Sequence, residues 1–269
     1  MVIDTAGVST FTSNSKITLR TYLNVNTNCT LVVNGSSTLN LTYDDNYNIA
    51  YFENNGTVNS SASTFNFTYN VGEGYGAANQ IDNYGTFNDI GSTFNLDGKN
   101  SQIINNSYSN FNCNGSTFNC DGGIYGYTGI YSLNSILNNG VFLALGTTQI
   151  TLSGTGSNLL NFTPVEANTA YFVLGPKSSL DASGTNSKVQ NVYSYIPESF
   201  YQGYFILNSD HDNSAFVHQS SSSNGFIGQY NVQRYFTGNN SLNYRGYRLV
   251  SSPVNITSET PATLSLIHI

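Results

Sequence analysis

An all-β solenoid of stacked coils, a parallel β-helix, is the fold this sequence predicts. Three observations carry the prediction. The first is a recurring phrase: Ser63-Thr64-Phe65-Asn66-Phe67, Ser92-Thr93-Phe94-Asn95-Leu96 and Ser116-Thr117-Phe118-Asn119-Cys120 are near copies, with looser relatives at Ser37–Leu41, Thr148–Leu152 and Ser178–Ala182. The second is its period, since the central apolar residues stand at 39, 65, 94, 118, 150 and 180, giving steps of 26, 29, 24, 32 and 30 residues, the range of stacked repeats. The third is the absence of any sustained i, i+3, i+4, i+7 apolar spacing, which removes helical repeats and leucine-rich repeats from contention.

Each element of the repeat follows in order. In the Ser-Thr-Phe-Asn phrase Phe65 and Phe67, Phe94 and Leu96, and Phe118 and Cys120 alternate with Thr64/Asn66, Thr93/Asn95 and Thr117/Asn119, so one face of a strand is buried and the other is polar. A second phrase, Asn-x-Gly, precedes it at Asn54-Asn55-Gly56, Asn83-Tyr84-Gly85 and Asn138-Asn139-Gly140, with a degenerate copy around Ser109–Asn112. Its Asn and Gly are expected to supply the positive φ of a tight corner. A third apolar point, at Ile49, Ile81, Ile104 and Ile136, completes a three-sided coil. A single coil has no layer over its inner face, so coils must stack about 4.8 Å apart to line Phe and Ile into a continuous core. The uneven steps are accommodated as bulges at Val71–Gly76 and Gly122–Tyr127.

Composition narrows the function classes. Only 9% of the 269 residues are charged, with a net charge of −7. Between Thr21 and Ala170 the one basic residue is Lys99, so nucleic acid, which needs clustered Lys and Arg, is not an expected partner. No apolar run reaches the length of a membrane span, and nothing near Met1 reads as a signal peptide. Cys29, Cys113 and Cys120 lack metal-type spacing. Cys113 and Cys120 share strand parity with Phe111 and Phe118 and are expected as small inward hydrophobes, a Cys113–Cys120 disulfide being the alternative. Eleven Asn-x-Ser/Thr triplets occur, which matter only in a cell that glycosylates them.

The carboxylates open to catalytic chemistry in the central coils are Asp44-Asp45, Asp82, Asp89, Asp97 and Asp121. Asp97 and Asp121 each stand three residues past the central Phe of a phrase and are expected to stack on successive coils, either as plain Asp-Gly corner residues or as a weak calcium site. Ser209-Asp210-His211-Asp212-Asn213 gathers oxygen ligands and one imidazole but lacks the pattern of a calcium loop. No catalytic, metal or cofactor constellation is assigned. The expected interaction surface is the outer ladder of Thr64, Asn66, Thr93, Asn95, Thr117 and Asn119, a lattice of hydroxyls and amides suited to a repetitive partner such as a glycan or, less favourably, ice.

Two resemblances place these motifs. Gly76–Phe87 together with the Ser-Thr-Phe-Asn phrases resembles the right-handed β-helix repeats of bacterial surface proteins, adhesins and autotransporter passengers among them, over roughly residues 30–155. Val232-Gln233-Arg234-Tyr235 followed by Arg248-Leu249-Val250-Ser251-Ser252-Pro253 is similar to a junction in large secreted proteins of Bacteroidota. The resemblances imply a right-handed coil, an extracellular or cell-surface location and adhesion or display, and they supply no active site; Arg234, Arg245 and Arg248 cluster at the junction and are expected as packing partners. The organisation expected is a β-helix over 1–236, the start of a further β-domain over 237–263, and a tail at 264–269 that resembles a translated sequencing adaptor, making the chain a fragment. A carbohydrate-active β-helix enzyme is the competing function.

Overall fold

The computed structural model describes residues 2–3, 8–11, 14–20, 22–43, 50–69, 79–97, 101–122, 134–154, 156–163, 170–184, 187–191, 201–202, 204–210, 213–219, 225–227 and 230–233. Among them every regular element is a strand. The strands form three sheets, and nearly all neighbours pair in parallel. Sheet A contains Tyr22–Val25, Tyr51–Asn54, Gln80–Asn83, Gln102–Asn105, Ser135–Asn138, Asn158–Thr163 and Lys188–Gln190 as successive neighbours. Sheet B runs through Thr30–Val33, Thr57–Ser61, Thr86–Ile90, Asn110–Asn114, Val141–Leu145, Tyr171–Leu174 and Tyr204–Leu207. Sheet C runs through Lys16–Leu19, Thr38–Tyr43, Thr64–Tyr69, Thr93–Asp97, Thr117–Gly122, Gln149–Gly154, Ser179–Ala182 and Phe216–Gln219. The chain visits A, B and C in turn and climbs one coil per circuit, a right-handed parallel β-helix. One antiparallel strand, Tyr201–Gln202, adds to Asn158–Thr163.

The predicted strand parity is the observed one. Phe65, Phe94 and Phe118 are in register on sheet C and fully buried, with parallel rings 4.7 and 4.6 Å apart. A second column on sheet B, Phe87, Phe111, Phe142, Phe172 and Phe205, stacks at 4.5 to 4.9 Å. These distances equal the strand spacing, so a flat ring laid over its copy fills one coil layer. The two columns touch edge-on inside the coil. The three cysteines are free, buried thiols, Cys113 and Cys120 as their strand parity predicts.

Two expectations change. The third apolar row is Phe52, Ile81, Ile103, Ile136 and Leu159; Ile104 lies in register with Asp82 on the other face, because Asn105 and not Ile104 matches Asn83 at the corner. Ile49 is outside the described residues. The glycines of Asn-x-Gly are also needed for a different reason. Gly56, Gly85 and Gly140 are absent from the positive-φ set, which includes Gly35, Gly91, Gly115 and Gly146. What they supply is room: a Cβ on Gly85 would sit 2.1 Å from the Gly56 carbonyl oxygen, and one on Gly140 would sit 2.4 Å from that of Asn106. Where the same corner is two residues longer, at Asn26–Cys29 and Asn106–Ser109, a buried Cys29 or Ser109 takes the glycine's place.

The corner between sheets B and C uses left-handed backbone instead. Ala62, Gly91 and Gly115 have φ of 47°, 69° and 72°, and the serine that follows each, Ser63, Ser92 or Ser116, is buried. That burial explains why the phrase begins with Ser: the Ser63 hydroxyl lies 3.0 Å from both the Val33 and the Ser61 carbonyl oxygens and donates to this pair. Both expected bulges fall between a sheet C strand and the next sheet A strand, and except for Gly122 their residues lie outside the described set. The chain separates into a unit at 1–235 and a second at 236–269, the latter wholly outside the described residues.

Candidate functional site

Sheet C positions the ladder singled out by the sequence. Thr64, Thr93 and Thr117 form one outward row and Asn66, Asn95 and Asn119 the next. Thr38/Asn40 extend it at one end and Gln149/Thr151 at the other. The asparagines are bonded along the axis: Nδ2 of Asn66 donates to Oδ1 of Asn40 at 2.9 Å, that of Asn95 to Asn66 at 2.9 Å, and that of Asn119 to Asn95 at 2.8 Å. One N–H of each amide is thereby committed, and the planes of the amides are fixed in a common orientation. A third outward row holds Thr42, Thr68, Asp97, Asp121 and Ser153, with the Thr42 and Thr68 hydroxyls 3.2 Å apart.

Asp97 and Asp121 are in register on adjacent coils and exposed, as their spacing predicts. Ser153 Oγ approaches Asp121 Oδ1 at 3.4 Å. Among the described residues no three His, Cys, Asp or Glu side chains gather in a metal-binding arrangement. Farther along the same face His218 Nδ1 meets Asp181 Oδ1 at 3.1 Å, both side chains near half exposure. Asp210 closes a turn, its Oδ1 accepting the Asn213 N–H at 2.7 Å. His211, Asp212, Asp44, Asp45, Arg234, Arg245 and Arg248 lie outside the described residues.

Sheet A carries a polar cluster that the sequence reading did not assemble. Tyr22 and Tyr51 are in register and stack at 5.6 Å. Glu53 and Asp82 face the same way on adjacent strands. Each carboxylate is gripped at both oxygens, Glu53 by Tyr22 at 2.9 Å and Asn55 at 2.5 Å, Asp82 by Tyr51 and by Gln80 at 2.6 Å. Burial raises the Asp82 carboxyl above its usual range, against the bonds from Tyr51 and Gln80 and with help from the Glu53 charge. Burial and the bond to Asp82 raise the Tyr51 phenol. Alignment of Tyr22-Leu-Asn, Tyr51-Phe-Glu and Gln80-Ile-Asp at the same offset before the corner was the available signal.

Two interior polar sets are equally orderly. Asn54, Asn83, Asn105, Asn138, Asn161 and Asn191 are buried at the A–B corner and form one ladder, each Nδ2 donating to the next Oδ1 at 2.7 to 2.8 Å. The same donors reach a sheet B carbonyl one coil on, as from Asn83 to Asn110 at 2.9 Å. This ladder points opposite to the outer one. Asp89, 2% exposed, accepts from the Ser60 and Ser116 hydroxyls and from the Ser92 N–H at 3.2 Å. Burial pushes the Cys113 thiol well up, with the Asp89 charge adding to it, and the Cys120 thiol up to about 12, so neither is a poised nucleophile.

No known family, no curated protein and no solved structure matches the chain.

Proposed function

We propose that the chain is a non-enzymatic structural or adhesin-like segment of an extracellular surface protein. The observation that carries this reading is axial continuity. Phe stacks, the buried Asn ladder and the outer Asn ladder all bond from coil to coil along the solenoid. A solenoid tied lengthwise by every layer is suited to holding a partner away from a surface, and its sheet C side repeats Thr and Asn from coil to coil. The resemblance of the repeats to bacterial surface β-helices, and of the Val232–Tyr235 stretch to secreted Bacteroidota proteins, supports the location.

The partner best matched to the sheet C face is a glycan or another repetitive surface polymer. Its Thr-x-Asn lattice repeats at the strand spacing, about 4.8 Å along the axis and about 7 Å across a pair, and its amides are already oriented by their neighbours. Wild type and a Thr64→Lys/Thr93→Lys/Thr117→Lys variant are to be compared on a glycan array and for thermal hysteresis. Glycan retention by wild type alone supports the reading; equal behaviour reduces the ladder to a solvated face, and hysteresis confined to wild type selects ice. Turnover of a polysaccharide that disappears on mutating Asp97 and Asp121 would replace the structural reading with an enzymatic one.

A further inference from the structure

We propose that Asn34–Gly35 is a self-modifying peptide bond of this chain, a place where an asparagine converts to aspartyl and isoaspartyl, and that coil stacking holds the other described Asn-Gly pairs inert. Those pairs are Asn55–Gly56, Asn114–Gly115 and Asn139–Gly140. In an Asn-Gly sequence the glycine nitrogen attacks the asparagine Cγ, losing its proton to solvent; a C–N bond forms, the Cγ–Nδ2 bond breaks and ammonia leaves. Water then adds to either carbonyl of the cyclic imide and opens it to an aspartyl or an isoaspartyl residue. No oxidant, reductant or enzyme enters. The step requires the glycine N–H to be released and the backbone to rotate toward the side chain, so a hydrogen-bonded, tightly packed glycine is protected.

Three of the four glycines are held in this way. The N–H of Gly56 donates to Asn54 Oδ1 at 3.1 Å and that of Gly140 to Asn138 Oδ1 at 3.3 Å. Both glycines also press on the coil before them, 2.4 Å separating the position of an added Cβ from a carbonyl oxygen. The Asn55 amide is itself engaged, donating to Glu53 and Asn24, and Asn139 Oδ1 is buried. Gly115 N–H donates to the Leu145 carbonyl at 3.1 Å.

Gly35 differs because its corner is one residue longer. Four residues, 34 to 37, separate Val33 from Thr38, whereas three, 61 to 63, separate their register partners Ser60 and Thr64. In the corner ladder Ser36 N–H donates to Ala62 O, Ala62 to Ile90 O, Gly91 to Asn114 O and Gly115 to Leu145 O. Ser36 precedes the buried Ser37 as Ala62, Gly91 and Gly115 precede the buried Ser63, Ser92 and Ser116, and Gly35 is the inserted residue, exposed, with φ of 65° beside Ser36 at 62°; its carbonyl accepts the Asn14 N–H at 2.8 Å. Its N–H has no place in that ladder. The modified residue would lie beside the start of the outer face, since Ser37 Oγ donates to the Asn34 carbonyl at 2.6 Å immediately before Thr38. An isoaspartyl link, one methylene longer in the backbone, would loosen that corner.

The test is peptide mapping by mass spectrometry after incubating the full chain in mildly alkaline buffer, folded and in denaturant, with isoaspartyl methylation to identify the product. In denaturant the four sites should react at comparable rates. Folded, Asn34 should retain most of its denatured rate while Asn55, Asn114 and Asn139 slow by at least several-fold. An Asn34 slowed as much as the other three, or any of those three reacting as fast as Asn34 in the folded chain, overturns the proposal.

Discussion

Side chains one position apart carry opposite structural duties in this molecule. Phe94 is sealed between Phe65 and Phe118, while Thr93 faces outward. Phe94→Ala is expected to cost about 3 to 5 kcal/mol and Thr93→Ala well under about 1; similar denaturation midpoints for the two variants would contradict the packing described. Glycines divide as sharply. Gly91 has open space around its missing Cβ and φ of 69°, so Gly91→Ala should cost only the left-handed penalty, about 1 kcal/mol. Gly85→Ala must displace the backbone of the coil before it and should cost about 3 kcal/mol or more. Equal losses at the two positions would contradict the close approach between coils at Gly85. The Phe and Thr parity was legible in the sequence because alternation has only two outcomes. The role of Gly85 was not, because close approach between coils depends on corner length, which a single Asn-x-Gly phrase does not reveal.

The element that most distinguishes this solenoid is its paired asparagine ladders. Asn105 illustrates the buried one: it accepts from Asn83 and from Ser109 Oγ, and donates to Asn138 and to the Val141 carbonyl. Asn105→Asp keeps the shape but sets lone pairs against two acceptors. It should destabilise by about 3 kcal/mol or more and by more than Asn105→Ala, which removes the bonds without adding repulsion. The reverse order would mean that volume, not hydrogen bonding, governs the position. The asparagines themselves were visible at the corners, but their inward orientation was not, since Asn in a turn phrase reads as a solvated residue. Sheet A adds a titrating element. The Asp82 carboxyl is raised in the folded chain, so its stabilising contribution is complete below the unfolded value of about 3.9 and is lost as pH climbs through the folded value. The stability of wild type relative to Asp82→Asn should therefore fall from about pH 4 upward; a difference that rises with pH would contradict it.

Among the described residues of the unit at 1–235, strands pair with their counterparts in adjacent coils, so stability should be distributed as a chain of coil and interface contributions. The repeat period made this architecture legible at the start, and composition made it plausible that amides rather than charges keep its sides wet. What composition could not give was the change of character along the axis: the outward row Asn24, Glu53, Asp82 of sheet A continues in register as Ile104, Leu137 and Leu160, and the Asn59, Asn88, Asn112 row of sheet B as Leu143, Val173 and Ile206. Repeats detected by their inner residues say little about outer ones, which are free to vary once the core is set. Amide hydrogen exchange should expose the column's grading. Strands with ladders on both sides and a Phe flanked by Phe in both neighbours, Thr93–Asp97, Asn110–Asn114 and Val141–Leu145, are expected to exchange slowest, and Asn231–Val232, paired on one side among the described residues, fastest. A single exchange rate across all of these strands would mean that the column opens only as a unit, and that its coils do not carry separable stabilities.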